Sequence, residues 1–249
     1  MAGRRKWAMS GFLVVLALGV AAVARAQSPT EEAVRLIGAY HEDPTRLERA
    51  RDLLERALTN SAPPELLATL ARVYFLIGDV RAASTDEKLA AYDRGRELGR
   101  RAVELAPKGE DAHFWYAANT GRFGQTKGIM RSLVLLPTMR GEVDTLLAIN
   151  AGSPRVQGVA ANFFAEVPGL LGGDRARAEA HWKKGIDIDP RYTVLHVDYA
   201  KFLIGAGRAD DARRELQRVI DETAPTNRAD WTMRDLPRAR MLLESLKGK

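Results

Sequence analysis

The sequence predicts an all-α fold made of similar helical hairpins, and two observations support this prediction. Residues 172–190 (GGDRARAEAHWKKGIDIDP) and 207–225 (GRADDARRELQRVIDETAP) repeat one pattern 35 residues apart: glycine, an acidic start, an internal alanine and a closing proline. Apolar residues also recur at spacings of three and four, as on one face of an amphipathic helix. No stretch alternates apolar and polar residues over the length of a strand, so no β-sheet is expected.

The first 26 residues have the pattern of a secretory signal peptide. Three bases at positions 4–6 (RRK) precede an apolar run over residues 11–23. The run is followed by ARA at 24–26, which has the small residues of a signal-peptidase cleavage site. The apolar run is shorter than the roughly 20 residues that span a bilayer. We expect cleavage near Ala26 and an exported, soluble chain, periplasmic or secreted, with a single all-helical domain over residues 27–249.

Prolines close the second helix of each predicted hairpin, at spacings of 44, 47, 36 and 35 residues. The last two spacings are close to the tetratricopeptide period of 34. We interpret the first two as the same unit with about ten inserted residues, and place Gly121, Gly124 and Gly128 in a flexible connection between helices. The prolines are Pro63, Pro107, Pro154, Pro190 and Pro225.

The predicted fold class is a tetratricopeptide-like helical-hairpin repeat solenoid with capping helices over residues 30–40 and 236–246. Within a hairpin, a small residue such as Ala178 or Ala212 lets the two helices approach closely, and Trp182 or Leu216 fills the groove four positions later. Ser153 is predicted to cap the first helix that begins at residue 154. Stacked hairpins bury one continuous core, so about three or more are needed for stability.

Composition excludes several classes of function. Residues 27–249 contain 34 basic and 32 acidic side chains, a net charge of +2, so the balance does not indicate nucleic-acid binding. The chain has no cysteine, and therefore no disulfide, no catalytic thiol and no cysteine for a lipid anchor. The four histidines lack the i, i+4 spacing of a helical metal site, and no nucleotide or hydrolase motif is present. We expect no metal, no cofactor and no enzymatic activity.

Several stretches together resemble the TRAP-transporter T component (TatT). They are FWYAANTG at 114–121, PTMRGEVDTLLAINAGSP at 137–154 with a Leu-Pro break before it, VPGLLGGDRARAEAHWKKGIDIDP at 167–190, and RARMLLESL at 238–246. The resemblance implies a non-enzymatic periplasmic subunit, assembled as a homotrimer beside the solute-binding protein of an uptake system, that handles a small carboxylate or hydrophobic ligand. The aromatic helix and the following repeats also resemble the regulator of microtubule dynamics proteins, although the export signal argues against a cytoskeletal role.

The richest candidate site lies between residues 113 and 140, where aromatic residues accompany bases and no acid occurs between Asp111 and Glu142. A basic rim over an aromatic lining suits a carboxylate with an apolar part. The alternative is that the aromatic residues form repeat core and the bases a solvated face. The candidate ligand-binding residues are Phe114, Trp115, Tyr116, Asn119, Arg122, Lys127, Arg131, Asn162 and Phe163.

Two functions remain open from the sequence. The first is the accessory protein described above, in which the candidate residues line an internal cavity. The second is a protein-interaction scaffold in the cell envelope, which would hold an extended or helical partner segment in the groove of the first helices. The partner would be a periplasmic solute-binding protein in the first case and another envelope protein in the second.

Overall fold

The computed structural model describes residues 28–247, and all regular elements in that range are helical. The prediction of an all-α fold is confirmed, whereas the predicted signal peptide lies outside the described residues. Two five-residue π-helical turns occur at Ile77–Arg81 and Trp231–Asp235, and a 3₁₀ turn at Gly169–Leu171. The α-helices are α1 (Pro29–Gly38), α2 (Arg46–Ala57), α3 (Pro64–Leu76), α4 (Thr85–Leu105), α5 (Glu110–Lys127), α6 (Ile129–Asn150), α7 (Pro154–Glu166), α8 (Arg175–Ile188), α9 (Thr193–Gly205), α10 (Ala209–Asp221), α11 (Arg228–Asp230) and α12 (Leu236–Ser245).

Helices α1 to α10 pair in sequence order into five hairpins, and each hairpin packs on the next. The first helices α3, α5, α7 and α9 lie side by side, and α12 closes the array against α10. The two predicted capping helices correspond to α1 and α12. Within residues 28–247, no helix is both long and apolar enough to cross a bilayer.

The repeated sequence pattern produces the packing that it predicted. Ala178 and Ala212 are fully buried, and Trp182, which is 1 % exposed, lies against the rings of Tyr199 and Phe202 with centroids 5.8 and 4.9 Å apart. Gly99 shows how closely other helices approach, because a Cβ there would lie 2.7 Å from the Cα of Tyr116. Close approach and buried aromatic area therefore stabilise the hairpins together.

The structure corrects the position of the inserted residues. Helix α5 continues through Gly121 and Gly124 and ends at Lys127, so only Gly128 lies in a turn. Helices α4 and α6 have 21 and 22 residues, compared with 14 in α8, which means that the extra residues lengthen helices. Gly124 serves helix packing, since a Cβ there would lie 3.2 Å from the Oγ of Ser132 in α6.

Two local predictions also need correction. Helix α6 runs through Pro137, where the resemblance suggested a break. A proline in a helix cannot donate to the carbonyl four residues earlier, but that carbonyl belongs to Leu133, an exposed residue that water can reach. Ser153 does occupy the N-cap position of α7, yet its hydroxyl donates to Glu110 Oε1 at 2.8 Å and makes no capping bond.

A buried histidine in α9 ties the preceding turn to the second helix of its hairpin. His196 Nε2 lies 2.9 Å from the carbonyl oxygen of Pro190, six residues earlier, and its Nδ1 lies 2.6 Å from Glu215 Oε2 in α10. Both atoms facing the ring are hydrogen-bond acceptors. His196 therefore connects three parts of one repeat: turn, first helix and second helix.

The same polar connection recurs in two other repeats. His113 lies 3.1 Å from the carbonyl of the residue six positions earlier and 2.7 Å from Glu142 Oε2. In the repeat between them, Gln157 donates from Nε2 to the Ala151 carbonyl at 2.7 Å, and its Oε1 lies 2.7 Å from Nδ1 of His181. The three repeats thus share this connection, and its chemistry changes in the middle repeat, where Gln and His replace His and Glu.

We expect the variant His196→Gln to lower the free energy of unfolding by about 2 kcal/mol, because one amide hydrogen-bond donor group cannot satisfy both acceptors. Adding Glu215→His recreates the Gln157–His181 pair at the corresponding positions and should recover most of the loss. Urea unfolding followed by circular dichroism measures both variants.

His41→Gln is the matched control, because the Nδ1 of His41 is buried without a hydrogen-bond partner. This control should lose less stability than His196→Gln. A double variant that is less stable than His196→Gln would contradict the proposed equivalence of the two pairs.

Candidate functional site

Residues 228–238, here called the strap, lie across the first helices of the hairpins. The strap comprises α11, the second π-helical turn and the start of α12. Its Ala229 and Met233 pack into the core formed by α1 to α5, and its Trp231 packs into the core formed by α6 to α10 and α12. The strap thus joins the two halves of the protein. The surface of α3, α5, α7 and α9 that it faces is called the inner face below.

Asp79, in the π-helical turn after α3, is the main contact of the strap on the N-terminal half. Its Oδ2 accepts from Arg234 Nη2 at 2.6 Å and from Arg122 Nη2 at 3.3 Å, and its Oδ1 accepts from the Tyr92 hydroxyl at 2.7 Å. Burial alone would raise the pKa of Asp79, but the charges of Arg234 and Arg122 outweigh it and the pKa lies below its ordinary value. Asp79 is therefore ionised and fully engaged.

Two further acids take part in contacts of the strap with the first hairpin and with α9. The hydroxyl of Tyr40, at the end of α1, donates to Asp230 Oδ1 at 2.7 Å. On α9, Asp198 accepts from Arg238 Nη2 at 3.3 Å and from Asn162 Nδ2 of α7 at 3.1 Å. The strap consequently contacts the first and the last hairpin at once.

Asp235 is the strap residue whose buried carboxyl group is only partly hydrogen-bonded. It is 2 % exposed, its Oδ2 accepts from the Thr193 hydroxyl at 2.7 Å, and its Oδ1 has no hydrogen-bond partner. Burial is the main reason why the pKa of Asp235 is raised to about 6, and Arg234 opposes the rise. Below that pH the carboxyl is mostly neutral, which removes the cost of a buried and incompletely solvated charge.

Phe114 and Trp115 form a half-buried aromatic shelf next to the strap. Their rings meet edge to face with centroids 4.8 Å apart. Trp115 also lies 5.6 Å from the ring of Phe75, and Arg234 of the strap lies 5.3 Å from that same ring. The shelf is therefore continuous with the part of the inner face that the strap covers.

Two arginines flank the shelf and differ in their charge partners. The guanidinium of Arg155 lies 4.8 Å from the ring of Phe114 and pairs with Glu110 at 2.7 Å and Asp111 at 2.6 Å. The guanidinium of Arg72 lies 5.6 Å from the ring of Trp115, and its buried Nε has no hydrogen-bond partner. No carboxylate within residues 28–247 forms an ion pair with Arg72. The shelf thus has one neutralised cation and one available cation.

Tyr116 lies on a different surface from Phe114 and Trp115. It lines an open groove of about 490 Å³ along α4. The bases of this groove are already paired with acids of α4, namely Arg94 with Glu97, Arg96 with Asp93 and Arg100 with Glu104. Because these charges are balanced, the groove attracts an anion only weakly.

The remaining candidate residues do not converge on one cavity. Asn119 is fully buried and donates to the carbonyls of Ala71 and Trp115 at 3.1 and 2.8 Å, so it joins α3 to α5. Arg122 is engaged by Asp79, Asn162 by Asp198, and Phe163 is buried beneath the guanidinium of Arg140 at 5.3 Å. Lys127 and Arg131 are exposed at the far end of α5 and the start of α6.

Sequence reasoning missed the residues that connect the shelf and the strap. Asp79 and Arg234 are 155 positions apart, and Arg72 stands alone among apolar residues of α3. No periodic signal marks them. Arg72 is the one base of α3, and its position between Ala71 and Val73 was the only available hint.

With this geometry established, comparisons with known proteins identify the family. A family model described as Regulator of microtubule dynamics protein 1-3 matches residues 31–168, more than half of the chain. The chain belongs to this family. The matched residues include the shelf. This family is the second of the two families that the sequence resembles. A tetratricopeptide-repeat model matches residues 170–245 of this regulator of microtubule dynamics family member.

One solved structure supports the same fold. A thermophilic TPR protein from Thermus thermophilus, TTC0263, superposes with a TM-score of 0.63 at 19 % identity, over 88 % of this chain and 98 % of that chain. MamA from Desulfovibrio magneticus RS-1 is more distant, with a TM-score of 0.48 at 14 % identity over 78 % and 95 % of the two chains. No curated protein sequence matches the chain. The family member is thus a tetratricopeptide-type helical-repeat protein.

The buried carboxyl of Asp235 should make stability depend on pH. Its pKa is about 6 in the folded chain and near the ordinary 3.8 when unfolded, so the folded state binds the extra proton between these values. The free energy of unfolding should therefore fall as pH rises from about 4 to above 6, by an amount on the order of 2 kcal/mol. Asp235→Asn should remove this part of the pH dependence. Urea unfolding at several pH values measures it.

Asp210→Asn is the matched control for Asp235→Asn, since the Asp210 side chain is 86 % exposed. The control should leave the pH profile unchanged. If the profiles of the wild type and Asp235→Asn coincide between pH 4 and pH 7, the assignment to Asp235 is wrong.

Breaking the pair between Asp79 and Arg234 should loosen the strap. We expect Arg234→Met to cost roughly 3 kcal/mol, because the other half of a largely buried pair loses its closest partner. Limited proteolysis should then cut the linker at residues 222–227 faster than in the wild type. Arg240→Met, an exposed change in α12, is the control and should alter neither quantity.

Proposed function

We propose that this protein is a non-enzymatic helical-repeat scaffold of the cell envelope that binds an apolar group carrying a carboxylate on its aromatic shelf. The observation that carries the proposal is the arrangement of Arg72 beside the half-buried rings of Phe114 and Trp115. The rings offer apolar area, and the guanidinium offers charge-assisted hydrogen bonds to a carboxylate.

Charge distribution supports the shelf over other parts of the inner face. Asp79 neutralises Arg122 and Arg234, and Asp198 pairs with Arg238. Glu110 and Asp111 neutralise Arg155. Arg72 is left as the cation beside an aromatic surface, so an anionic group placed there gains a partner without breaking an existing pair.

The strap limits what the inner face can hold. It already occupies the part of the groove next to Asp79, Thr193 and Asp198. A long extended partner segment would have to displace it, whereas a small acid or a short acidic stretch of a partner protein fits beside it. Both sources share the same chemistry, an apolar group with a carboxylate, and the experiment below separates them.

The finer form of the proposal is an accessory role beside a periplasmic solute-binding protein in a TRAP-type uptake system. It rests on the resemblance of residues 114–121, 137–154, 167–190 and 238–246 to the T component, and on the export signal predicted in residues 1–26. Homotrimer assembly belongs to the same proposal. The role in microtubule dynamics that the family description names is not carried over, because that export signal would remove the chain from the cytoplasm.

The test titrates the purified chain with two probes, octanoate and the peptide acetyl-LDLEL-amide, by isothermal titration calorimetry. Octanoate represents a small ligand and the peptide represents a segment of a partner protein. We expect one probe to bind, and Arg72→Gln to weaken that binding by about tenfold or more, since a charge-assisted hydrogen bond is lost. Trp115 fluorescence should change on binding.

Arg100→Gln is the matched control, because Arg100 lines the Tyr116 groove on α4. It should leave the affinity unchanged. Binding that responds to Arg100→Gln and not to Arg72→Gln would place the ligand in the groove, and an absence of binding by both probes would remove the proposal altogether.

A further inference from the structure

The turn between α5 and α6 and the loop between α7 and α8 lie next to each other at one edge of the array. Gln125 Nε2, near the end of α5, donates to Glu166 Oε2 at the end of α7, at 2.6 Å. Arg140 Nη2 of α6 donates to the Leu171 carbonyl in the loop after α7, at 2.9 Å. Two hydrogen bonds therefore hold this edge together across neighbouring hairpins.

Large apolar side chains project from this edge into solvent. Leu170 is 102 % exposed, Ile129 81 %, Met130 78 % and Val134 66 %. Leu133 and Leu171 are exposed beside them. The other exposed large apolar residues of the described chain lie singly on α1, α4, α8 and α12. Scattered exposure is normal for a folded protein, but a cluster of six indicates an interaction surface.

Bases surround these apolar residues and have no acidic partners. Lys127, Arg131, Arg140 and Arg177 form no ion pair within residues 28–247, although 24 such pairs occur there. Three of the four guanidinium or ammonium groups are held at the surface by rings: Arg131 lies 5.7 Å from Phe123, Arg140 5.3 Å from Phe163, and Arg177 3.8 Å from Phe164.

The acids of the edge are few and already engaged. Glu166 accepts from Gln125, and Asp174 caps α8 by accepting from the backbone amides of residues 176 and 177. The edge thus carries four bases and two acids. The edge attracts anions more strongly than the chain's overall net charge would suggest.

We propose that this edge, consisting of residues 127–134, Arg140, 168–172 and Arg177, docks on an anionic phospholipid surface. The projecting residues Ile129, Met130 and Leu170 enter the boundary between headgroups and acyl chains, and the bases contact lipid phosphates. The proposal is independent of the shelf and of the ligand proposed for it.

Shape and charge favour a bilayer over the other occupants. Four of the six apolar residues lie in the first two turns of α6 and two in the 3₁₀ turn after α7, and none of them lines the open grooves along α4 and α10. They are therefore not placed like the lining of a groove that receives a partner helix. A second copy of the chain would place like charges opposite each other, which opposes association. A flat anionic surface meets both the projecting apolar residues and the unpaired bases.

The test is flotation with vesicles of equal parts phosphatidylglycerol and phosphatidylcholine, compared with vesicles of phosphatidylcholine alone. All proteins are used with the same N-terminal residues, so a difference between variants reports the edge. We expect the wild type to float with the anionic vesicles and to remain at the bottom with the neutral ones. Added salt should release it.

Variants separate the contributions of the apolar residues and the bases. Ile129→Ser combined with Leu170→Ser should weaken partitioning by more than about tenfold, and Arg131→Gln by about fivefold. The matched controls are Val34→Ser combined with Met241→Ser, exposed apolar residues elsewhere, and Lys108→Gln, an exposed base at a different turn. The controls should float like the wild type.

Three outcomes would overturn the proposal. The first is that the wild type fails to float with anionic vesicles. The second is that the edge variants float as well as the wild type, which would assign binding to another part of the chain. The third is that size-exclusion chromatography gives a dimer that only the edge variants dissociate, which would make the edge an interface between copies. Thermal unfolding of each variant confirms that it is folded.

Discussion

The ion pair between Asp79 and Arg234 connects positions 155 residues apart, and the inner face depends on it. In an open solenoid each repeat contacts only its neighbours, so the two ends are energetically separate. Here the strap returns to the first hairpins and couples them to the last. The two side chains are 12 % and 11 % exposed, which makes their attraction strong but their desolvation costly. Tyr92 and Arg122 offset that cost by satisfying the rest of Asp79.

Contacts between arginines and aromatic rings are the second recurring interaction. Nine guanidinium groups lie over rings within residues 28–247, where about three would be expected for that length. This frequency explains why aromatic residues and bases occur together in α5 without forming one binding site. Most of the rings support arginines structurally. Arg72 on the shelf belongs, with Arg131, Arg140 and Arg177 at the edge, to the ring-bound arginines that have no acid partner.

The repeat could be predicted from the sequence because its signals are local. Helix spacing, prolines after second helices and the pairs Ala178–Trp182 and Ala212–Leu216 act within one hairpin. The extra residues of the central hairpins were misplaced because glycine is read as a turn signal, whereas Gly124 serves close packing of α5 on α6. The strap contacts could not be predicted, since Asp79 meets Arg234, and Asp198 meets Arg238, only after the hairpins have stacked. Tyr116, adjacent to Trp115 in sequence, faces another surface because consecutive residues of a helix with 3.6 residues per turn point about 100° apart.

Some surfaces carry bases that are already paired with acids of the same helix, and others carry bases that can still attract an anion from another molecule. On α4 and α10 most bases pair with acids three or four positions away, as Arg96 does with Asp93 and Arg213 with Asp210. An incoming anion must compete with those acids. Arg72 on the shelf and Arg131 at the edge have no such acid, so an anion gains their full attraction. Because the Debye length is about 8 Å at physiological ionic strength, this attraction acts only on groups within about that distance of the surface. Selectivity must then come from the apolar area beside each base, and the shelf and the edge both have it.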